Sequence, residues 1–198
     1  MKPVLITGGA GFIGTNLTSR LISEGRRVIV YDNLSRCGVE DNVEWLRSQP
    51  GGLVEVIAAD TRDRHTLKTA VMEASAVFHF AAQVAVTTSL TSPEQDFDVN
   101  VRGTLNLLEI LRNMPAPPPL IFTSTNKVYG SLAGVELRAA GRRYEPVDPV
   151  VQIEGIGETQ NLEFYSPYGC SKGAADQYIL DYAHSFGIPA MVFRMSCI

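Results

Sequence analysis

A tyrosine and a lysine stand four positions apart in the stretch SPYGCSK, as Tyr168 and Lys172. The residues after them predict a helix, so the two side chains would lie one turn apart on one face. A phenol has an ordinary pKa of about 10 and is a poor base at neutral pH unless a nearby cation stabilises the phenolate. We therefore expect Lys172 to lower the pKa of Tyr168, which would let Tyr168 exchange a proton with a substrate hydroxyl.

The helix that carries this pair has a predicted core-facing stripe at three- and four-residue spacing, which consists of Ala175, Ile179, Tyr182 and Phe186. A Tyr-x-x-x-Lys pair also arises often by chance, and an exposed Tyr–Lys pair without a chemical role is the alternative. Its position downstream of a nucleotide-binding motif favours the catalytic interpretation.

That motif is the glycine-rich stretch TGGAGFIG, which lies between the first predicted strand and the first predicted helix. One glycine of such a turn permits a tight backbone, another lets the backbone approach a pyrophosphate, and the third lets the helix pack on the sheet. Here these residues are Gly8, Gly11 and Gly14. The amides and the partial positive charge at the helix N-terminus would bind the anion. No Lys-Ser/Thr pair follows the last glycine, which excludes a P-loop.

Asp32 ends the next predicted strand, about 20 residues further on, where dinucleotide-binding proteins carry a ribose-binding acid. A carboxylate there accepts ribose hydroxyls and repels a 2′-phosphate, so it favours NAD over NADP, although Arg36 keeps NADP as an alternative. An ordinary glycine turn followed by a helix-capping aspartate is the structural alternative. Asp60 ends the third predicted strand, and it either accepts a hydrogen bond from adenine or caps the helix that begins near Asp63.

Six apolar, β-rich runs alternate with helical stretches along the chain. The predicted strands cover residues 3–7, 27–32, 53–60, 75–82, 119–126 and 189–195. The predicted helices lie near residues 12–24, 63–74, 97–113 and 168–186. Nearly continuous apolar strands separated by helices indicate a parallel sheet that is covered on both faces. We therefore expect a doubly wound α/β fold.

The 198 residues carry a net charge of −4, with 45% hydrophobic and 19% charged residues. This composition is typical of a soluble globular domain and offers no basic surface for nucleic acid or an acidic membrane. The cysteines Cys37, Cys170 and Cys197 show neither metal nor disulfide spacing, which fits a reducing compartment. Because the chain shows neither a signal peptide nor an apolar run of about 20 residues, we expect a cytoplasmic protein that binds no metal and no membrane.

Two further groups of polar residues are expected to have no chemical role. Three arginines are predicted to form a solvated loop surface rather than a phosphate clamp, and they are Arg138, Arg142 and Arg143. Among the histidines, His79 is predicted to be a hydrogen-bonded residue at a strand end. His65 and His184 show no pairing that indicates chemistry.

Taken together, the motifs resemble the extended short-chain dehydrogenase/reductases that act on nucleotide sugars. The resemblance covers essentially the whole chain through TGGAGFIG, YDNLSR, FHFAAQ, DVNVRGTLNLLE, FTSTNKVYG and SPYGCSKGAADQYILDYA. It implies an NAD cofactor contacted by Gly8, Gly11, Phe12, Ile13, Gly14, Asp32, Asn33, Ser35, Arg36, Asp60, Thr61, Ala81, Ala82, Gln83, Asn100, Thr123, Tyr168 and Lys172.

The same resemblance assigns roles to residues of the expected reaction site. The family carries its catalytic Ser or Thr four residues before the tyrosine of STNKVYG, which is Thr125 in this chain. Thr125 would orient a sugar hydroxyl toward Tyr168, and Lys172 would also bind the nicotinamide ribose. Substrate contacts are expected from Thr87, Thr88, Ser89 and Asn126. For the first three of these, helix capping is the alternative.

The 4,6-dehydratases of this family place an Asp–Glu pair directly after the catalytic Thr, because elimination needs an acid and a base. Asn126 and Lys127 stand there in this chain, which disfavours dehydration. The resemblance is strongest to epimerases of lipopolysaccharide O-antigen biosynthesis that invert C2 of a CDP-3,6-dideoxyhexose through a transient 2-keto intermediate. A UDP-sugar 4-epimerase, a non-catalytic NAD-binding protein and a methyltransferase are the alternatives.

Family members continue well beyond the equivalent of residue 198, with another strand and a small C-terminal substrate domain. The resemblance therefore implies that residues 1–198 form an NAD-binding Rossmann domain without its substrate domain. Such a protein would bind NAD but turn over poorly by itself. The resemblance also implies a homodimer or higher homo-oligomer that pairs through the helices near 97–113 and 168–186.

Overall fold

Eight strands are present in the computed structural model, which describes residues 2–196. They are β1 (Val4–Thr7), β2 (Val28–Asp32), β3 (Val54–Ala58), β4 (Ala76–His79), β5 (Leu120–Thr125), β6 (Leu137–Ala140), β7 (Arg143–Pro146) and β8 (Ala190–Met195). Six of them form one parallel sheet in the order β3-β2-β1-β4-β5-β8, while β6 and β7 form an antiparallel hairpin. The strand order reverses between β1 and β4, and ligands of such sheets bind at this point, outside the carboxyl ends of the strands. The predicted doubly wound α/β fold is confirmed.

The helices are α1 (Phe12–Ser23), α2 (Val39–Arg47), α3 (Arg64–Glu73), α4 (Val86–Thr91), α5 (Pro93–Phe97), α6 (Gly103–Arg112), α7 (Pro149–Glu154) and α8 (Ser166–Phe186). Three of the four predicted helices correspond to α1, α3 and α8. The helix predicted near 97–113 corresponds to a π-helical turn followed by α6, so its extent agrees but it is not a regular α-helix throughout. Helix α5 already begins at Pro93, and a wide π-helical turn, Asp98–Arg102, joins it to α6.

Two apolar clusters cover the two faces of the sheet. On one face, buried side chains of β1, β2, β4 and β5 pack against α3, α6 and α8. On the other face, Val4, Ile6, Val28 and Val30 pack against apolar residues of α1 and α2. Because β1 and the body of β2 are covered on both sides, every residue of VLIT and the first four of VIVYD are buried.

Five features were not predicted from the sequence, namely α2, α4, α5, α7 and the β6–β7 hairpin. The segment with Arg138, Arg142 and Arg143 was expected to be a loop, and that expectation is wrong, since it lies on and around the hairpin. All three arginines are exposed, as predicted, and Arg143 pairs with Glu145 at 2.6 Å.

The stripe predicted along α8 holds for its first three residues. Ala175, Ile179 and Tyr182 are buried in the core cluster. Phe186 is 46% exposed, because it lies in the last turn of the helix, where its ring meets Tyr182 edge-on at 4.8 Å between centroids.

Within residues 2–196, every helix is too short or too polar to cross a bilayer. The same part of the chain contains no group of three potential metal ligands. Cys37 and Cys170 are exposed thiols, and Cys197 lies outside the described residues.

Candidate active site

The glycine turn after β1 brings three segments of backbone into close contact. Gly8 has φ +68°, and a Cβ built on it would lie 2.6 Å from the amide nitrogen of Ala81. A Cβ on Gly14 would lie 2.5 Å from the carbonyl oxygen of Gly8. Gly11 precedes α1, whose first turn contains no acidic residue and whose N-terminus has no side-chain cap. The first amides of α1, from Phe12 and Ile13 onwards, are therefore placed to bind an anion.

Asp32, at the carboxyl end of β2, ties this turn to the sheet. Its carboxylate accepts hydrogen bonds from the amides of Ala10 at 3.1 Å and Leu34 at 3.0 Å. An ionised carboxylate offers about four acceptor positions, so Asp32 retains acceptors for ribose hydroxyls. Ser35 and Arg36 lie exposed on the loop that follows.

Asp60 has a different role from the capping role considered above. Its carboxylate accepts from the Asn33 amide at 2.8 Å and from two nitrogens of the Arg62 guanidinium at 2.9 and 2.8 Å. The hydrogen bond from Arg62 is the main reason that the pKa of Asp60 lies well below its usual range. Asp63 itself caps α3 through the amides of His65 and Thr66, so the capping interpretation of Asp60 is wrong. Thr61 is buried against Gly103 at the start of α6.

The loop after β4 contains the predicted cofactor residues Ala81, Ala82 and Gln83. Asn100 holds this loop from the π-helical turn by two hydrogen bonds with the backbone of Gln83. The Gln83 amide donates to the Asn100 side chain at 2.9 Å, and the Asn100 side chain donates to the Gln83 carbonyl at 3.1 Å. The sequence prediction placed Asn100 in support of the cofactor, and the structure places it against the cofactor-lining loop.

Thr125 and Tyr168 lie together at the carboxyl end of the sheet, as the last residue of β5 and in the first turn of α8. Both side chains are buried. Burial raises the pKa of Tyr168, the Thr125 hydroxyl opposes this rise, and the negative charge of Asp96 adds to it. The net shift of the Tyr168 pKa is therefore upward, opposite to the downward shift expected from the sequence, because burial dominates.

Lys172 is buried one turn after Tyr168 on α8 and interacts with β5. Its Nζ donates a hydrogen bond to the Thr123 carbonyl at 2.7 Å and lies 4.1 Å above the centre of the Phe122 ring. Burial lowers the pKa of Lys172 to about 7, while the carboxylates of Asp176 and Asp96 act in the opposite direction. The charge of this ammonium is consequently sensitive to small changes around neutral pH.

Four residues around Lys172 were missed by the sequence reasoning, and they are Asp96, Ser171, Asp176 and Arg194. Ser171 donates to the buried carboxylate of Asp96. Asp176 accepts two hydrogen bonds from Arg194, at 2.9 and 3.0 Å. The position of Asp176, four residues after Lys172 on the same helix, was a signal that could have identified it. Nothing local in the sequence distinguishes Asp96 from an exposed acid.

The predicted substrate residues on α4 differ in exposure. Thr87 and Thr88 are exposed inside the helix, and Ala85 is the residue that precedes it, so these threonines do not cap α4. Ser89 is fully buried, and its hydroxyl accepts from the amide of Tyr168 at 3.1 Å. Ser89 thus caps the first turn of α8, which makes it a support for Tyr168. Asn126 is partly exposed beside Thr125.

His79 is buried with both ring nitrogens hydrogen-bonded, as the sequence predicted. Thr7 lies 2.6 Å from Nδ1 and Thr104 lies 3.0 Å from Nε2. The Thr104 hydroxyl donates onward to the Asn100 carbonyl, so it accepts from Nε2–H, and Nδ1 accepts from Thr7. Burial lowers the pKa of His79 to about 3, which keeps the ring neutral.

Comparisons with known proteins agree with this geometry. The family model for GDP-mannose 4,6 dehydratase matches residues 5–197. The CDP-paratose 2-epimerase of Salmonella typhi is 47% identical over 98% of this chain and 56% of its own length. A putative UDP-glucose 4-epimerase of Methanocaldococcus jannaschii is 33% identical over 98% of this chain and 55% of its own.

Solved structures give the same result. The Thermus thermophilus UDP-glucose 4-epimerase, crystallised as a complex with NAD, superposes with a TM-score of 0.74 at 34% identity. The match covers 97% of this chain and 54% of that one. The chain spans about half the length of the curated relatives that it matches. On the residues matched and the identities found, the chain belongs to the GDP-mannose 4,6 dehydratase family of NAD-dependent epimerases and dehydratases.

Proposed function

We propose that this chain is the NAD-binding part of an epimerase that inverts C2 of a CDP-3,6-dideoxyhexose, as in CDP-paratose 2-epimerase, also called CDP-tyvelose 2-epimerase. The supporting observation is that Thr125 and Tyr168 lie together at the carboxyl end of the sheet. At the same end, the glycine turn between β1 and α1 presents amides that can bind an anion. One site thus combines a proton-transfer residue with a binding site for a dinucleotide.

The residues present fit NAD. The glycine turn leaves no room for side chains between β1, α1 and the loop after β4, so the backbone itself would contact the pyrophosphate. Asp32 would accept the ribose hydroxyls, and Lys172 would bind the nicotinamide ribose. When bound, NAD supplies a hydride acceptor and donor for the sugar carbon that is oxidised and then reduced.

The protein side chains would handle the proton. Thr125 would hydrogen-bond the C2 hydroxyl and orient it toward Tyr168, which would take its proton and later return one. Because burial raises the pKa of Tyr168, the phenolate needs a cation beside it. Lys172, one turn further along α8, is the residue that can provide this charge from the chain itself.

Inversion at C2 requires no further acid–base pair, whereas dehydration does. Asn126 and Lys127 follow Thr125 and provide no carboxyl group, which supports epimerisation. The 47% identity to a CDP-paratose 2-epimerase favours C2 of a CDP-sugar. The 35% identity to the UDP-glucose 4-epimerase of Erwinia amylovora makes a UDP-sugar 4-epimerase the second candidate.

The same proposal includes a cytoplasmic location and a homo-oligomeric assembly. Exposed apolar side chains of α8 support pairing with a second copy, because Tyr178, Leu180 and Phe186 are each more than 40% exposed. Size-exclusion chromatography with light scattering on the full-length protein tests the assembly, and a monomer would contradict it.

The reaction is tested by incubating the purified full-length protein with CDP-paratose and, separately, with UDP-galactose, and resolving the products by NMR. We expect CDP-tyvelose from the first substrate and no conversion of the second. Conversion of UDP-galactose alone would establish the 4-epimerase instead.

The role of Tyr168 is tested with Tyr168→Phe, for which we expect NAD to remain bound and turnover to fall about 100- to 10,000-fold. Tyr178→Phe removes a hydroxyl from the exposed side of the same helix and should leave turnover unchanged. Nearly normal turnover in Tyr168→Phe would contradict the assigned base.

A further inference from the structure

Two aspartates near Lys172 have fully buried side chains, and their partners differ. Asp176 is matched by the guanidinium of Arg194, which donates two hydrogen bonds to it. Asp96 is also completely buried, but its hydrogen-bond donors are neutral, namely the Ser171 hydroxyl and the Asn100 side-chain amide at 3.3 Å. A buried carboxylate with only neutral donors still needs a compensating cation.

Lys172 directly follows Ser171, which binds Asp96, and it is a buried cation whose charge acts on Asp96. Burial raises the pKa of Asp96, and the positive charge of Lys172 opposes that rise. The interaction is reciprocal, since Asp96 helps to keep Lys172 protonated against its own burial. Asp176 acts in the same direction, but Arg194 already neutralises its charge.

Asp96 is also linked mechanically to the residues that flank Lys172. Ser171, which precedes Lys172 on α8, donates to Asp96 and accepts from Asn100 at 2.9 Å. Asn100 in turn holds Gln83 of the loop after β4. One carboxylate on α5 therefore contacts both the helix that carries Tyr168 and the residue that holds the cofactor-lining loop.

We propose that Asp96 is a positioning residue that holds Lys172, one turn after Tyr168 on α8, as an ammonium ion. The consequence for turnover rests on the function proposed above, whereas the effect on the charge of Lys172 does not.

The remaining groups around Lys172 do not provide this charge. From β5 it meets the Thr123 carbonyl and the Phe122 ring, and from β4 it meets His79, which is neutral because burial lowers its pKa. From its own helix it meets Asp176, which is paired with Arg194 of β8. Among the described residues, Asp176 and then Asp96 raise the pKa of Lys172, and of these two carboxylates Asp96 is the one without a guanidinium partner.

The electrostatic part is tested without any turnover. The full-length protein is produced with ¹³Cε-lysine, and the Lys172 signal, identified by its loss in Lys172→Met, is titrated by NMR. We expect its midpoint near pH 7 in the wild type and clearly lower in Asp96→Asn. Glu94→Gln removes an exposed charge from the same helix and should leave the midpoint unchanged.

Ser171→Ala provides a second, milder variant if Asp96→Asn does not fold. Without the Ser171 hydroxyl the pKa of Asp96 rises further, so the Lys172 midpoint should fall in the same direction by a smaller amount. An unchanged midpoint in folded Asp96→Asn, or in Ser171→Ala when that is the only folded variant, would overturn the proposal.

The functional part is tested by the pH dependence of turnover with the substrate identified above. In Asp96→Asn the fall of turnover at high pH should begin at lower pH, with about a tenfold loss for each unit above the new midpoint. Glu94→Gln should superpose on the wild type. If no nucleotide sugar is converted, the proposed function fails, while the NMR titration still decides whether Asp96 sets the charge of Lys172.

Discussion

Each half of the sheet contains an arginine that binds an aspartate through two nitrogens, and the two pairs differ mainly in their surroundings. Asp60 and Arg62 meet after β3, where their side chains are 24% and 39% exposed. Asp176 and Arg194 meet between α8 and β8, where the exposures are 0% and 14%. Their hydrogen-bond lengths are nearly equal, so geometry alone does not separate them. Water screens the exposed pair, so the loss of one partner there costs little. The second pair is buried, where a charge left without its partner is strongly unfavourable.

This difference reflects how the two halves are built. The half around β1 to β3, which we propose binds the nucleotide and call the nucleotide half, uses backbone atoms and neighbours in sequence, such as the glycine turn and the loop after β3. The half that we propose carries the reaction is called the reaction half. The reaction half, around β4, β5 and β8, uses buried polar side chains brought together from separate elements. We therefore expect substitutions of charge to be severe in the reaction half, and substitutions of size to be severe in the glycine turn.

The largest effect is expected from Asp176→Asn. It leaves the guanidinium of Arg194 without its counter-charge in a nearly buried position, which should lower the free energy of unfolding by about 3–5 kcal/mol. Urea denaturation followed by circular dichroism measures this change. Asp181→Asn, an exposed position on the same helix, should change stability by less than about 0.5 kcal/mol. Equal effects of the two variants would remove the distinction drawn between the halves.

An intermediate effect is expected from Gly14→Ala. The added Cβ would lie 2.5 Å from the backbone of Gly8 and Gly9, which cannot move aside as a flexible side chain can. Overpacking of this kind should cost about 1–3 kcal/mol of stability and widen the glycine turn that is proposed to bind the pyrophosphate. We expect NAD affinity, measured by isothermal titration calorimetry, to fall about tenfold or more. Gly134→Ala adds a methyl group in open space and serves as the control, so a comparable loss there would contradict the close-packing explanation.

The smallest effect is expected from Asp60→Asn, at about 1 kcal/mol or less, because the pair with Arg62 is partly exposed. The pKa of Asp60 is depressed in the folded state, so its contribution is present above the ordinary aspartate range and is lost as the pH falls through it. Thermal unfolding at neutral and acidic pH should show the variant and the wild type converging on acidification. A gap that widens with acid would contradict this assignment.

The nucleotide half could be predicted from the sequence because its signals are local. Gly8, Gly14 and Asp32 are recognised by spacing within one strand–helix–strand unit. The structure packs Gly14 against Gly8 and joins Asp32 to the same turn through the amide of Ala10. The capping role considered for Asp60 was wrong because Asp63, directly before α3, supplies the cap, while Asp60 binds Arg62. The six strands of the sheet were also predicted, since each is a continuous apolar run.

The reaction half could be predicted only in part. Tyr168, Lys172 and Thr125 were identified by short motifs, but the charges that surround them were not. Ser171 and Asp96 are 75 residues apart in sequence, so no spacing rule connects them. The downward pKa shift expected for Tyr168 is not found, for a related reason. Burial, which raises the pKa of the phenol, is a property of the packed fold and is not visible in a four-residue motif.

The π-helical turn at Asp98–Arg102 determines how α6 is rotated about its axis relative to the residues before it. A π turn closes its hydrogen bonds one residue later than an α turn, and each helical residue rotates the chain by about 100°. The added residue therefore sets the rotation between Asn100, directed at Gln83, and Leu107, directed at the core. A one-residue insertion or deletion here would turn one of these two faces away, which makes chain length in this segment a stricter requirement than the identity of its exposed side chains.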